Sequence, residues 1–188
     1  MNTKTTLVLL ATCVMLLTVG CKNEKGGKAI TVGNISDDKA DADSTIFGVC
    51  GENTAMHTLE LIGDDGVVRN YIINLDDSTG SVVFGGLLTG DRMAVTAKVE
   101  YGDTIATKVI NLTTLLGEWL SLDKNFDIQE GGTVASHVET ETNPWTSWKI
   151  FNGMLVLNKD TFDIIELGAD SLYMENNDGV FAYKRKRK

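Results

Sequence analysis

Short runs in which apolar and polar residues alternate fill this chain from Ser44 onward, and turn-forming residues separate one run from the next. An alternation with a period of two is typical of half-buried β-strands. In the clearest run the apolar residues share one face of the predicted strand: Met93, Val95, Ala97, Val99 and Tyr101. Between Ser44 and Asn111 no stretch of about ten residues shows the period of 3.6 that an amphipathic helix requires. The sequence therefore predicts an all-β fold.

The predicted strands form two groups, and a possible helical turn at Thr113–Leu116 separates them. About six short strands lie in residues 44–112 and predict a small antiparallel β-barrel or sandwich. Eight more lie in residues 115–188: Glu118–Leu122, Phe126–Gln129, Thr133–Glu139, Ser147–Phe151, Met154–Leu157, Phe162–Leu167, Leu172–Glu175 and Val180–Arg185. Short strands at regular spacing, joined by tight turns, predict an up-and-down meander that can close into a barrel and so remove its exposed edges.

The first 20 residues have the pattern of a secretory signal sequence. Lys4 precedes an apolar run from Leu7 to Val19. As a helix this run would extend about 20 Å, which is too short for a hydrocarbon core of about 30 Å. The sequence therefore predicts a cleaved signal over residues 1–20 rather than a membrane-spanning helix.

The junction Leu17–Cys21 resembles the lipobox of bacterial lipoproteins, in which small residues precede a cysteine that is acylated and begins the mature chain. The resemblance implies a lipid anchor on Cys21, which palmitate would label. The alternative is an ordinary signal sequence with a chance cysteine at its end. Lys22 follows Cys21, without the Asp associated with inner-membrane retention and without an acidic export run. We therefore expect the protein at the outer membrane, facing the periplasm.

Residues 21–43 are predicted to form the lipidated N-terminus and a flexible tether. Lys and Asp dominate this stretch and large apolar side chains are few. Such a segment cannot bury enough apolar surface to offset the entropy lost on ordering. A globular body on a polar tether is therefore expected.

Charge and cysteine content exclude several classes of function. The formal net charge of −9 argues against a nucleic-acid partner, because binding phosphates needs clustered cations. Cys13 leaves with the signal and Cys21 would carry lipid, so Cys50 remains as the one thiol in the mature sequence. Neither an intramolecular disulfide nor a thiolate metal site can form from one thiol. Cys50 is predicted to be a buried small hydrophobe.

The sequence offers no arrangement that points to catalysis, a metal or a cofactor. His57 and His137 have no Cys, Ser or carboxylate at a spacing that suggests a dyad. Asp123–Asp127 resembles the opening of a calcium loop, but Ile128 stands where that loop needs Gly and Val134 where it needs Glu. We therefore expect a non-enzymatic protein without metal or cofactor.

The second group of strands resembles a known family. Gly117-Glu118-Trp119 opens the first of its strands just after the possible helical turn, as the Gly-x-Trp signature does in lipocalins. Further motifs follow in the same order: Phe126-Asp127-Ile128, Glu130–Ser136, Trp145–Ile150, Met154–Leu157 and Asp170–Tyr173. About residues 115–188 thus resemble the lipocalin-like domain of Bacteroides-type lipoproteins.

This resemblance implies that Trp119 plugs the base of the barrel and that a cation of the last strand, Lys184 or Arg185, lies across its ring. Gly117 would let the helical turn pass close to the first strand. We place the candidate ligand contacts near the open end of the barrel, at Trp145, Trp148 and Tyr173. The alternative is that these aromatic side chains simply fill a small barrel.

Two functions remain open from the sequence. One is a cell-envelope lipoprotein that binds a small apolar or amphipathic ligand. The other is a structural or interaction lipoprotein with a filled barrel and an envelope protein as partner. A cavity of several hundred Å³ would favour the first. The basic run Lys184–Lys188 is interpreted as a solvated tail, with acidic lipid headgroups as its alternative partner.

Overall fold

β-Strands make up most of the part of the chain that the computed structural model describes, namely residues 42–74, 82–138 and 141–187. These residues belong to one compact unit, Asp41–Lys188. The predicted signal, Cys21 and nearly all of the predicted tether lie outside the described residues. In the described ranges no helix has the length and apolar character needed to cross a membrane.

The first barrel is built from six strands: β1 (Ile46–Cys50), β2 (Thr58–Gly63), β3 (Val68–Ile72), β4 (Val83–Phe84), β5 (Arg92–Glu100) and β6 (Asp103–Asn111). Five strands follow one another in the order β3-β2-β1-β5-β6, and a parallel contact between Ile72 and Ile105 closes them into a barrel. Strand β4 pairs in parallel with β6. Nine residues form its core: Cys50, Leu59, Leu61, Tyr71, Ile73, Met93, Val95, Ala106 and Val109.

The hairpin of β5 and β6 departs from the predicted alternation. Met93 and Val95 are buried, but Val99 and Tyr101, predicted for the same face, are 76% and 100% exposed. The register of the two strands shifts just after Thr96, and residues on both faces of β5 are exposed beyond that point. This end of the hairpin therefore extends past the core, and the prediction of one continuous apolar face was wrong there.

One helical turn, α1 (Leu112–Leu115), connects the two barrels. The buried side chain of Asn111 caps it by accepting a hydrogen bond from the backbone N–H of Thr114 at 2.9 Å, and donates to the carboxylate of Asp91 at 2.7 Å. The helical turn begins one residue earlier than the sequence predicts. The cap explains this position, because an Asn side chain satisfies a backbone N–H that the helix itself leaves free.

Eight strands form the second barrel: β7 (Gly117–Leu120), β8 (Asn125–Gln129), β9 (Thr133–Ser136), β10 (Trp148–Phe151), β11 (Met154–Leu157), β12 (Asp160–Leu167), β13 (Ser171–Asn176) and β14 (Gly179–Arg185). Their order is β10-β11-β12-β13-β14-β7-β8-β9, with every neighbour antiparallel. An isolated bridge between Thr133 and Ser147 spans the remaining gap, so the barrel is nearly closed. The all-β fold and its lipocalin-like up-and-down barrel are confirmed.

The two barrels share one hydrophobic core. Five residues of the first barrel and of α1 lie in the cluster that fills the second barrel: Phe84, Ala94, Ile110, Leu112 and Leu115. Polar contacts add to this packing. The backbone N–H of Gly85 donates to the carbonyl oxygen of Leu167 at 2.9 Å, and Lys108 pairs with Asp163. Separating the barrels would expose this apolar surface, so they are held as one body.

The start of the described chain is fastened to the β10–β11 turn. The Asp43 carboxylate accepts a hydrogen bond from the backbone N–H of Asn152 at 2.9 Å. The side-chain oxygen of Asn152 accepts from the N–H and the hydroxyl of Ser44 at 2.8 and 2.9 Å, and the N–H of Gly153 donates to the Thr45 hydroxyl at 3.2 Å. We call this set of contacts the N-terminal clasp. It fixes where the chain enters the folded body.

Candidate functional site

Trp119 closes the base of the second barrel, and its side chain is fully buried. Its indole N–H donates to the carbonyl oxygen of Leu115 at 2.9 Å. The guanidinium carbon of Arg185 lies 4.2 Å from the centroid of the Trp119 ring, within the range of a cation–π contact. The Arg185 nitrogens donate to three backbone carbonyl oxygens, those of Thr114, Leu116 and Ala169. This group of contacts joins the first strand, the last strand and α1, so its role is structural.

Gly117 lies beside this guanidinium, at the start of β7. Its φ of +121° is a conformation that residues with a Cβ atom rarely adopt. The glycine lets the chain leave α1 and enter β7 next to Arg185. Of the two cations that the sequence offers for the Trp119 ring, the structure places Arg185 there, while Lys184 is exposed.

Trp145 lies in the segment before β10, outside any strand, yet it is only 7% exposed. Its ring meets Phe126 and Phe162 edge to face, with centroid distances of 5.1 and 5.6 Å. Its indole N–H donates to the carboxylate of Asp160 at 3.2 Å, and the Lys124 ammonium lies 4.1 Å from the ring centroid. The indole therefore occupies the barrel interior where the sequence placed a ligand contact.

The barrel interior as a whole is filled by side chains of the protein. Trp119, Leu155, Leu157, Ile164, Leu172 and Met174 are all completely buried there. Phe126 also meets Tyr183 edge to face at 5.0 Å. Burial, together with the carboxylates of Glu141 and Asp123, raises the pKa of Tyr183 to about 12. The phenol of Tyr183 is thus neutral across the physiological range, as suits a packed apolar interior.

The three residues predicted as ligand contacts do not come together. Trp145 is inside the barrel, whereas Tyr173 is 36% exposed on the outer face of β13. Tyr173 lines a surface groove of about 890 Å³ with Leu122 and Val180. Trp148 lines a different groove, between the barrels. Alternation explains the position of Tyr173, because its neighbours in β13 point inward and it must point out.

The groove between the barrels, which we call the inter-barrel groove, has a volume of about 540 Å³. Its apolar lining comes from both barrels and from the linker: Phe47, Leu112, Leu116, Trp148 and Ile150. Three charged residues, Arg92, Glu130 and Lys149, complete the lining together with Thr113 and two glycines. A volume of this size falls in the range of small-molecule sites, about 300–1,000 Å³.

Sequence reasoning found only one residue of this groove, Trp148. Phe47 and Arg92 lie in the first barrel, Leu112 begins α1 and Leu116 follows it, so no sequence motif links them to Trp148. Only the packing of one barrel against the other brings them together. The sequence feature that comes closest to indicating the groove is Phe47, an aromatic residue near the start of the first strand.

The basic C-terminal run is largely engaged by the protein itself. Arg185 is held at the barrel base, Lys186 pairs with Glu118 at 2.8 Å, and Arg187 pairs with Asp170 at 2.9 Å. These residues border a third, charged groove of about 810 Å³. Arg185, Lys186 and Arg187 thus each have partners within the protein, while Lys184 is exposed on β14.

Elsewhere in the described residues, few side chains could act as a nucleophile, a base or a metal ligand. Cys50 is buried, as predicted, with its sulfur 3.4 Å from the Thr54 hydroxyl. His57 and His137 are exposed and lie in different barrels. No cluster of three or more His, Cys, Asp or Glu side chains that could hold a metal ion occurs within residues 42–74, 82–138 and 141–187.

Comparison with known proteins yields no match: no family model fits this chain, and neither a curated protein nor a solved structure is similar to it.

Proposed function

We propose that this protein is a non-enzymatic lipoprotein of the cell envelope that binds a small apolar or amphipathic ligand. Its acylated Cys21 would hold it at the outer membrane, facing the periplasm. Its second barrel would be a lipocalin-like domain of the kind that Bacteroides-type lipoproteins carry. Gly117, Trp119 and Arg185 support that assignment, since they lie together at the barrel base as the lipocalin resemblance implies.

The observation that carries the ligand proposal is the apolar inter-barrel groove. Protein surfaces seldom leave several large apolar side chains together without a binding role. Here Phe47, Leu116 and Trp148 line one concave surface of suitable size. A ligand would bind in this groove, because the barrel interior is occupied by Trp145 and its aromatic neighbours.

The anchor proposal rests on the apolar run Leu7–Val19 and on the Gly20-Cys21 junction. The test is metabolic labelling with palmitate in the native host, comparing Cys21→Ser with Cys13→Ser. Cys13 lies inside the signal and serves as the matched control. We expect Cys21→Ser to lose label and leave the membrane fraction, because stable anchoring needs more than one acyl chain. Label that persists in Cys21→Ser would refute the anchor.

The ligand proposal is tested by native mass spectrometry of the body released from envelope preparations. We expect a retained small molecule at a stoichiometry near one. Its loss on mild unfolding and its return on refolding with an envelope extract would identify a specific complex. A mass that equals the bare polypeptide in every preparation would refute ligand binding.

A second candidate, a structural or interaction lipoprotein, is favoured by a different observation. The interior of the second barrel is filled by side chains of the protein, with Trp119 and Trp145 both buried in it. A rigid filled barrel needs no small molecule for its stability. Crosslinking in whole cells that joins this protein to one envelope protein, with no retained small molecule, would favour this role.

A further inference from the structure

The inter-barrel groove is a preformed surface. Trp148 forms one wall, and its indole N–H donates to the carbonyl oxygen of Gln129 at 2.7 Å, which fixes the orientation of the ring. Gly132 approaches the Trp148 backbone so closely that a Cβ atom there would lie 3.1 Å from the Trp148 carbonyl oxygen. Ile150, 3% exposed, is anchored in the shared core. A ligand would therefore meet a wall that does not need to be ordered on binding.

The part of the lining that comes from the first barrel is also held in place. Phe47 packs against the shared core from β1. The backbone N–H of Arg92 donates to the hydroxyl of Thr113 at 2.9 Å, so β5 is tied to α1 at the edge of the groove. The groove thus exists only because the two barrels are packed together.

One cation is central to the charge of this groove. Lys149 and Arg92 both belong to the lining, but the Lys149 ammonium lies 5.0 Å from the centroid of the Phe151 ring, which is not part of it. Arg92 is therefore the cation from the lining that is considered as the partner of an anion.

Arg92 retains donors for a ligand. Its Nη1 and Nη2 atoms donate to the Asp64 carboxylate at 2.5 and 2.9 Å. A guanidinium has five N–H donors in a planar fork, so this pair leaves the Nε–H and others available. The Arg92 side chain is 45% exposed, and its guanidinium pairs with Asp64 among the residues that the structure describes.

We infer that the inter-barrel groove binds a small organic anion with an apolar body, whose charged group meets Arg92 while its body lies between Phe47 and Trp148. This inference rests on the proposed ligand-binding function and specifies its site and the chemical class of the ligand. The apolar walls supply the contact area, and the guanidinium supplies charge-assisted hydrogen bonds that select the anion.

The test uses two dyes that share one ring system. 8-Anilinonaphthalene-1-sulfonate is an anion, and N-phenyl-1-naphthylamine is the same body without the sulfonate. Both are titrated into the mature chain carrying Cys21→Ser, purified without detergent, and their fluorescence gives the dissociation constants. We expect one molecule of the anionic dye to bind, about tenfold more tightly than the neutral dye, with energy transfer from Trp148.

Paired variants locate the site and the charge. Arg92→Gln should weaken binding of the anionic dye about tenfold and leave the neutral dye unchanged. Its control is Arg69→Gln, which breaks the equivalent exposed pair with Asp65 outside the groove and should change neither dissociation constant. Trp148→Ala should weaken both dyes, whereas Tyr173→Ala, in the other groove, should weaken neither. Circular dichroism checks that each variant is folded.

Several outcomes would overturn the inference. Equal affinities for the two dyes would refute a preference for anions. Binding of the anionic dye that is unchanged in Arg92→Gln would refute the role of Arg92. Binding that is lost in Tyr173→Ala but kept in Trp148→Ala would move the site to the outer face of β13. If native mass spectrometry finds a retained molecule while the anionic dye does not bind, the proposed function stands and this inference fails.

Discussion

A Cβ atom on Gly117 would lie 2.6 Å from the Nη1 atom of Arg185. Side-chain carbons do not approach a guanidinium nitrogen so closely, so the absence of a side chain at position 117 and the position of Arg185 depend on each other. The glycine begins the first strand of the second barrel, and the arginine ends the last one. Their contact is part of what closes the barrel base beneath Trp119.

Gly117→Ala should therefore destabilise the protein. Two effects combine: a φ of +121°, which costs about 1–3 kcal/mol for a residue with a Cβ atom, and displacement of the Arg185 guanidinium. Gly179→Ala is the control, because Gly179 has a φ of +137° and open space around its missing side chain. Urea titrations followed by circular dichroism should give a lower midpoint for Gly117→Ala than for Gly179→Ala. Equal midpoints would show that backbone strain alone accounts for the destabilisation and that the contact with Arg185 adds nothing to it.

Arg185→Lys should lose most of the stabilisation that Arg185 contributes to the folded protein, even though it keeps the positive charge. An ammonium on a flexible stem cannot reach the carbonyl oxygens of Thr114, Leu116 and Ala169 at once. Since hydrogen bonds to charged groups contribute about 1.5–3 kcal/mol each, loss of even one should lower the free energy of unfolding measurably. Arg187→Lys, at an exposed pair with Asp170, should have little effect. A free energy of unfolding unchanged in Arg185→Lys would contradict this account of the barrel base.

The N-terminal clasp should open in acid. Partial burial by itself would raise the pKa of Asp43, but hydrogen bonds from Asn152 and Thr45 and the charge of Lys149 outweigh it and lower the pKa below 3.8. Because the folded-state pKa is lower than the unfolded one, the stabilisation is complete above pH 3.8 and disappears as the pH falls through the lowered value. The amide proton of Asn152 reports this directly in an NMR titration.

We expect the Asn152 amide to shift with a midpoint below 3.8 in the unmodified chain and to lose that transition in Asp43→Asn, which keeps an oxygen acceptor but cannot ionise. A midpoint above 3.8, or the same transition in both proteins, would mean that Asp43 does not hold the clasp.

Much of the fold follows from the sequence because a strand is indicated by the alternation of apolar and polar residues within its own few positions. The bounds of β11 agree with the prediction, and the other strands of the second barrel overlap their predicted ranges. Alternation within a strand also explains why Arg185 rather than Lys184 lies over Trp119: Tyr183 and Arg185 point to one side of β14 and Lys184 to the other. Alternation fails where the ladder is irregular, as beyond Thr96 in β5.

The candidate site could not be predicted in the same way. Trp145 follows Pro144 in a segment without alternation, and its burial depends on rings from β8 and β12 that only tertiary packing brings to it. The inter-barrel groove depends on contacts between Phe47 and residues far along the chain. Local patterns carry no information on such contacts.

The last prediction compares two tryptophans of the second barrel. From the sequence, Trp119→Ala should be severe and Trp145→Ala mild, about 1 kcal/mol, since Trp145 lies in a loop. The structure buries both indoles in one cluster, and Trp145 also loses its contacts with Phe126 and Lys124 when truncated. Each replacement should therefore cost about 3–5 kcal/mol, as removing a large aromatic side chain from a core does.

Urea titrations of both variants, followed by far-UV circular dichroism, measure these costs, with Tyr173→Ala as an exposed aromatic control. We expect both tryptophan variants to unfold at much lower urea than the control, because a loss of this size is a large part of the total stability of a small domain. Since the two barrels share a core, each variant should unfold them in one transition. A midpoint for Trp145→Ala close to that of Tyr173→Ala would mean that the segment before β10 leaves the barrel readily. The interior beneath Trp145 would then be accessible to a ligand after all.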